Sequence, residues 1–101
     1  MQSSGFGNCI NALGSLCVAM RVPVPMFISL RGELGESNLA QVPVGRAIRP
    51  TMDALGLQHF TLARLDETQK IVDGAIKLCY SSKLPVGVLF SSLLTGGKRV
   101  R

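Results

Sequence analysis

A glycine-rich run near the start of the chain is the first candidate for chemistry. Glycine lets a backbone approach a ligand closely, and the start of a helix attracts negative charge through its free N–H groups. A dinucleotide-binding fingerprint would need a third glycine where Ile10 stands, and no Lys-Ser or Lys-Thr pair follows for a phosphate loop. A plain structural turn ahead of a helix is an equally open interpretation. The run consists of Ser4, Gly5, Phe6, Gly7 and Asn8.

Two arginines and a glutamine stand in loops where an anionic ligand could bind. Arg31 directly follows a short apolar run, and Gln41 and Arg46 lie in the loop that leads to the next helix. In open α/β sheets ligands gather beyond the carboxyl ends of the strands, and the guanidinium fork suits carboxylate, sulfonate or phosphonate groups. We therefore consider these three residues as candidate site residues. The alternatives for Arg31 are solvent exposure or pairing with Glu33 or Glu36.

Histidine and cysteine give no strong chemical signal. His59 is the only histidine, has no partner at a telling spacing, and is expected to begin a strand, so no metal site is predicted. The three cysteines, Cys9, Cys17 and Cys79, form no Cys-x-x-Cys motif. Cys17 and Cys79 fall on apolar faces of predicted helices, which indicates buried, reduced thiols in a cytoplasmic protein.

Hydrophobic periodicity predicts the elements that must position these residues. Short apolar runs alternate with stretches whose apolar residues recur at helical spacing, which indicates strands and helices in turn. The predicted strands are Pro25–Leu30, His59–Leu62 and Val86–Phe90, and the predicted helices are Asn8–Met20, about Ile48–Leu55 and Asp66–Cys79.

Glycine, proline and capping residues suggest where the helices begin and end. Pro50 interrupts the second pattern, so either a turn over Val44–Arg49 precedes that helix or the proline kinks it. The other boundary residues are Gly7 and Asn8 as caps of the first helix, Gly56 as the end of the second, and Asp66 with Gln69 as a capping box for the third.

The order of elements predicts a three-layer α/β fold, a parallel sheet with flanking helices and right-handed crossovers. With 101 residues the chain forms one domain, yet 47% of residues are hydrophobic and only 17% are charged. Such an excess of hydrophobic residues indicates burial against a partner, or strands that are covered on both faces. Both interpretations are kept.

Composition argues against several functions. The formal net charge is +5, but the basic residues are dispersed except at the end of the chain. With 5% aromatic residues and no tryptophan, nucleic-acid binding is not predicted. No apolar run approaches the length of a membrane span, and the first residues show no signal peptide, so a cytoplasmic location is expected.

Several stretches together resemble one family, the α subunits of sulfopyruvate decarboxylase. The resemblance covers Met1 to about Leu94, in the right order. Related phosphonopyruvate decarboxylases share the Ser-Gly-x-Gly-Asn run but tend to carry Pro-Gln-His where this chain has the residues 40–43, which favours sulfopyruvate. The stretches are MQSSGFGNCINALGSL, PVPMFISLRGELGE, AQVPVGRA and MDALGL.

The resemblance implies a thiamine-diphosphate-dependent decarboxylase acting on a small anionic 2-oxoacid, in a reaction that serves coenzyme M synthesis. It implies that this chain binds the pyrimidine end of the cofactor through Ser4, Gly5, Gly7, Asn8 and Gln41, and the substrate through Arg31 and Arg46. The diphosphate and Mg2+ are expected on a β-type pyrophosphate-binding subunit or domain of a hetero-oligomer, because the Gly-Asp-Gly motif that binds them is not in this sequence.

The resemblance also implies that the chain holds only part of a domain. We expect residues 1–94 to be the C-terminal portion of a pyrimidine-binding domain and residues 95–101 to be a loose basic tail. The family's catalytic glutamate lies in a segment before this one, so no catalytic residue is assigned and the chain alone is expected to be inactive. Alternatives are a phosphonopyruvate decarboxylase fragment, a non-catalytic binding or assembly domain, and a small nucleotide-binding domain.

Overall fold

A computed structural model describes residues 1–34, 36–92 and 94, with three strands and three α-helices. All three predicted strands are present, with ends within one residue of the prediction. The predicted tail over residues 95–101 lies outside the described residues. The strands are β1 (Pro25–Ser29), β2 (Gln58–Leu62) and β3 (Val86–Phe90), and the helices are α1 (Ser3–Ala12), α2 (Val42–Ala54) and α3 (Thr68–Ser82).

The strands form one parallel sheet in the order β1-β3-β2. From β1 the chain passes through α2 to β2 on the far side of the sheet, then returns through α3 to β3 in the centre. Right-handed crossovers in opposite directions must place α2 and α3 on opposite faces. The loops that leave β1 and β2 therefore diverge above the carboxyl end of β3.

Helices cover both faces of the sheet, which confirms the predicted three-layer α/β fold. On one face, α1 and α2 pack against fully buried Ile28 and Leu89. On the other face, α3 packs against Val88, and Phe27 and Phe90 stack beside it with ring centroids 6.1 Å apart. Because β3 lies in the centre and is covered twice, its sequence is an unbroken apolar run.

The glycine-rich run is helical, so the prediction of a turn was wrong. α1 begins at Ser3 after extended Gln2, and Gly7 and Asn8 lie inside the helix instead of capping it. Phe6 is only 1% exposed and carries the apolar stripe one turn further toward the start of the chain. Burying a phenylalanine contributes about 1.5–3 kcal/mol, which offsets a cost of about 1 kcal/mol for each glycine in the helix.

α2 is continuous through its proline, so the alternative of a separate turn over residues 44–49 was wrong. The helix starts at Val42, and Pro50 lies within it. Gly56 ends it as predicted: its φ is +75° and its N–H donates to the carbonyl of Asp53 at 3.0 Å.

The predicted capping box of the third helix was also wrong. Asp66 lies in a 3-10 turn, Leu65–Glu67, and α3 begins only at Thr68. The carboxylate of Asp66 instead accepts two hydrogen bonds from Arg64, at 2.9 and 3.2 Å. A charge-assisted fork from a neighbouring arginine competes with backbone N–H groups for the same oxygens.

The first two residues run beside the outer edge of β1. Gln2 forms an isolated parallel bridge with Ser29, and the N–H of Ser29 donates to the carbonyl of Met1 at 2.8 Å. The amine of Met1 donates to the carbonyl of Phe27. These residues thus occupy the position of a further parallel strand next to β1 and lead directly into α1.

The three cysteines are unpaired, and they lie on both faces of the sheet. Cys79 is fully buried in the α3 face, where its thiol donates to the carbonyl of Leu84 at 3.2 Å and burial raises its pKa. Cys9 and Cys17 are half-buried beside the α1–α2 face. A buried thiol is thus confirmed for Cys79, whereas Cys17 is only partly covered. Among the described residues, no helix is long and apolar enough to cross a membrane.

Two helical glycines give a matched test of the packing. A Cβ at Gly45 of α2 would lie 1.7 Å from the carbonyl oxygen of Arg31, whereas a Cβ at Gly74 of α3 would meet nothing within 4 Å. We expect Gly45→Ala to destabilise the chain by more than about 3 kcal/mol through forced displacement of α2. Gly74→Ala should stabilise it by about 0.5–1 kcal/mol. Urea unfolding of both variants checks this, and equal midpoints would contradict it.

Candidate functional site

The carboxyl ends of the strands and the first turns of α1 and α2 meet at one edge of the molecule. The loop after β1 carries Arg31 and Glu33, and the segment after β3 carries Ser91 and Ser92. Glu33 reaches across to the segment after β3, where its Oε1 accepts from the N–H of Ser92 at 3.4 Å. Because the loops from β1 and β2 diverge here, the topology gives this edge the position at which open α/β sheets bind ligands, and we call it the crevice.

A close backbone contact fixes α2 at this edge. The Cβ that any other residue would place at Gly45 meets the carbonyl oxygen of Arg31 at 1.7 Å. On the loop side Gly32 has a φ of +80°, and a Cβ there would meet the carbonyl oxygen of Val42 at 2.8 Å. Two glycines therefore allow the loop and the helix to touch through their backbones alone, and hold the start of α2 over β1.

Arg31 and Glu36 form a forked ion pair beneath the loop. Arg31 donates from Nε to Oε1 at 2.7 Å and from Nη2 to Oε2 at 2.8 Å. Their side chains are 11% and 6% exposed. The Arg31 guanidinium and the N–H groups of Gly32 and Asn38 lower the pKa of Glu36 to about 2, and Glu36 in turn raises the pKa of Arg31. The pairing alternative for Arg31 is thus the observed one.

A second arginine lies on the open side of the same crevice. Arg49, one turn beyond Arg46 on α2, donates from Nη2 to the Oγ1 of Thr61 at 2.9 Å. The same nitrogen lies 3.8 Å from Glu33 Oε2, and the Arg49 side chain is 39% exposed. Sequence reasoning did not single out Arg49 or Thr61, although spacing i, i+3 from Arg46 on a helix was a usable signal.

The residues predicted to bind a cofactor occupy the neighbouring part of this edge. Ser4 and Asn8 are exposed one turn apart on α1, and Gly5 and Gly7 are half-buried. A Cβ at Gly7 would lie 3.6 Å from Cγ2 of Val44, so α1 and α2 are neighbours here. Gln41 directly precedes α2, and its Oε1 is buried with no hydrogen-bond partner among the described residues. The fold thus brings both predicted segments to one side.

Arg46, the other residue predicted to bind substrate, is exposed on α2 beside this edge. Gly45, the residue before it, contacts the backbone of Arg31. Both predicted arginines are therefore close to the crevice, but only the guanidinium of Arg46 faces solvent.

A different polar pair lies at the opposite end of the sheet. His59 Nε2 and Asp53 Oδ1 are 2.8 Å apart and link the end of α2 to the start of β2. They line an open cavity of about 410 Å3 together with Gly56, Leu57, Gln58 and Phe60. His59 is the second residue of β2, one position later than expected, and it has a carboxylate partner that the sequence did not indicate.

Fold and site together define a class, an open parallel α/β domain with a polar, arginine-bearing crevice at the carboxyl ends of its strands. No known protein-family model matches the chain. Sulfopyruvate decarboxylase subunit alpha of Methanococcus maripaludis is 36% identical over 93 residues, which are 92% of this chain and 56% of that protein. The subunit of the same name from Methanocaldococcus jannaschii is 37% identical, over 92% of this chain and 55% of that protein.

A longer relative shows similarity over a smaller part. Sulfopyruvate decarboxylase of Methanosarcina acetivorans is 41% identical over 71 residues, 70% of this chain and 18% of that protein. These similarities confirm the resemblance predicted from the sequence: the chain is similar to sulfopyruvate decarboxylase α subunits over 92% of its length. It spans about half the length of the two α subunits that it matches.

The buried ion pair predicts a loss of stability in acid. The pKa of Glu36 is about 2 when folded, below its ordinary value of 4.5, so the unfolded chain binds a proton at higher pH than the folded one. The stabilisation is complete above pH 4.5 and is lost as pH falls toward 2. We expect the free energy of unfolding of the natural chain to fall more steeply across this window than that of Glu36→Gln, measured by urea titration at each pH. Parallel slopes would contradict this.

Proposed function

We propose that this chain is the pyrimidine-binding part of a thiamine-diphosphate-dependent decarboxylase that converts sulfopyruvate to sulfoacetaldehyde and carbon dioxide. The observation that carries the proposal is 36–37% identity to two sulfopyruvate decarboxylase α subunits over 92% of the chain. The open crevice at the carboxyl ends of the strands, with arginines on one side, supports an anionic substrate.

The residues at the edge fit the pyrimidine end of the cofactor. The buried Oε1 of Gln41 lacks a donor among the described residues, and the amino group of an aminopyrimidine would supply one. Ser4 and Asn8 offer a hydroxyl and an amide on the exposed side of α1, while Gly5 and Gly7 add no side-chain bulk. When bound, thiamine diphosphate supplies the electron sink for decarboxylation. The chain's own part is to hold and orient the ring.

A second subunit or domain is proposed to bind the diphosphate and Mg2+. The sequence contains no Gly-Asp-Gly motif, and two relatives are named as α subunits. The relative from Methanosarcina acetivorans is several times longer than this chain and is named without a subunit, which supports a partner domain joined in one chain there. Exposed apolar side chains support burial against such a partner; they include Leu16 at 56%, Met20 at 67%, Leu34 at 79% and Leu39 at 86%.

Residues 1–94 are proposed to act as a portion of the pyrimidine-binding domain. The α subunits that they match are nearly twice as long, and Met1 and Gln2 already lie beside β1 as a further strand would. On this proposal the chain carries no catalytic glutamate and needs the rest of the domain for activity.

Reconstitution tests the proposal. The chain is extended at its start with the segment of the Methanococcus maripaludis α subunit that precedes the matched region. The extended chain is then mixed with a β-type subunit, thiamine diphosphate and Mg2+. We expect carbon dioxide release from sulfopyruvate by the extended chain and none by the unextended one. Phosphonopyruvate serves as the competing substrate, because the stretch at residues 40–43 favours the sulfonate. Absence of turnover with the extended chain would reject the substrate assignment.

Gln41 gives a binding test that does not depend on turnover. Gln41→Leu removes the proposed acceptor while keeping similar volume, so we expect about tenfold weaker binding of thiamine diphosphate to the reconstituted complex, corresponding to one lost hydrogen bond of about 1–1.5 kcal/mol. Gln58→Leu, at the opposite end of the sheet, is the matched control and should bind normally. Fluorescence titration measures both, and unchanged binding by Gln41→Leu would remove this residue from the site.

A further inference from the structure

Arg49 has the contacts of a binding arginine, whereas Arg31 has those of a structural one. Arg31 donates two hydrogen bonds to Glu36, at 2.7 and 2.8 Å, and both side chains are largely buried. A ligand could use that fork only after breaking a shielded ion pair, which is a strongly unfavourable step. Its pairing therefore fixes the loop after β1 and leaves anion binding to another group.

The Arg49 fork is held in position and still open. A single hydrogen bond of 2.9 Å to Thr61 anchors its Nη2. Glu33 Oε2 lies 3.8 Å from that nitrogen, beyond hydrogen-bond distance. Glu33 therefore attracts the Arg49 guanidinium electrostatically but does not use any of its N–H donors. Since arginine has five N–H donors and this side chain is 39% exposed, a tetrahedral oxyanion can still be bound by two of them.

The topology places the Arg49 guanidinium over the centre of the crevice. Arg49 reaches from α2 on one face to Thr61 near the carboxyl end of β2, while Glu33 joins the loop after β1 to the segment after β3. Together these contacts span all three strand ends, at the point where the loops from β1 and β2 diverge. Arg46, one turn before Arg49, adds a second positive charge on the same side of α2.

We propose that Arg49, and not Arg31, binds the sulfonate group of the substrate, with Thr61 and Glu33 as its positioning residues. This inference rests on the proposed decarboxylase function for the identity of the substrate, but the anion site itself can be tested separately. A sulfonate and a phosphonate present the same tetrahedral oxyanion, so both are used as probes.

The first experiment measures anion binding by the chain alone. Sulfoacetate and phosphonoacetate are titrated while the Nε–H resonances of the arginines are followed by NMR. We expect saturable shifts at Arg49 with a Kd on the order of millimolar, and no shift at Arg31. Arg49→Gln should abolish the saturable response. The matched control Arg21→Gln removes an exposed arginine that donates to the carbonyl of Ser82 at the opposite end of the sheet, and it should leave the response intact.

Folding and positioning need their own variants. Arg49→Lys keeps the positive charge but loses the guanidinium geometry, so it should weaken binding of both probes. It also provides a folded variant if Arg49→Gln proves unstable. Thr61→Val removes the anchoring hydroxyl and should weaken binding while the Arg49 resonance moves toward that of a free arginine. A saturable shift at Arg31, or no saturable shift at Arg49, would overturn the proposal.

Turnover separates this inference from the proposed function. In the reconstituted enzyme, Arg49→Gln should raise KM for sulfopyruvate by about tenfold to a hundredfold, with a smaller change in kcat. Turnover with an unchanged KM would reject the role of Arg49 and keep the decarboxylase function. Saturable binding at Arg49 without any decarboxylation would reject the function and keep the anion site.

Discussion

The contact between Gly45 and the carbonyl of Arg31 determines where the candidate site residues lie. It brings the first turn of α2 onto the loop after β1, and the backbone of Gly32 completes the contact from the other side. Once α2 starts there, Gln41 stands directly before the helix and Arg49 reaches β2. Any side chain at position 45 would push the helix away from the loop. The crevice therefore depends on Gly32 and Gly45, two residues that have no side chain.

Much of the fold follows from local patterns. β1, β2 and β3 are predictable because a short apolar run that follows a proline or glycine has few other conformations available. Burial of β3 on both faces explains why its run is unbroken. The start of α1 was not predictable in this way. Its two glycines indicate a turn locally, and only the burial of Phe6 against a sheet formed by distant residues makes the helix favourable. Asp66 likewise matches a cap pattern, but Arg64 competes for its carboxylate.

The candidate site was predictable in its location more than in its contacts. The edge follows from the rule for open sheets, and Arg31 was open to both a binding and a paired role until Glu36 was found beside it. Arg49 was missed because its partner Thr61 is 12 residues away in the sequence, on a strand whose neighbours are set by the crossovers. Strand order is set by how the layers pack, so the hydrophobic periodicity of the sequence does not predict it.

The distribution of the three thiols makes the two halves of the core separately observable. Cys79 belongs to the α3 layer and, with its pKa raised by burial, can react with an alkylating reagent only when that layer opens. Cys9 and Cys17 belong to the α1–α2 layer, which also carries the crevice. The alkylation rate of Cys79 would therefore report local opening of the α3 layer, whereas the rates of half-buried Cys9 and Cys17 would report how far a ligand covers or tightens the α1–α2 layer.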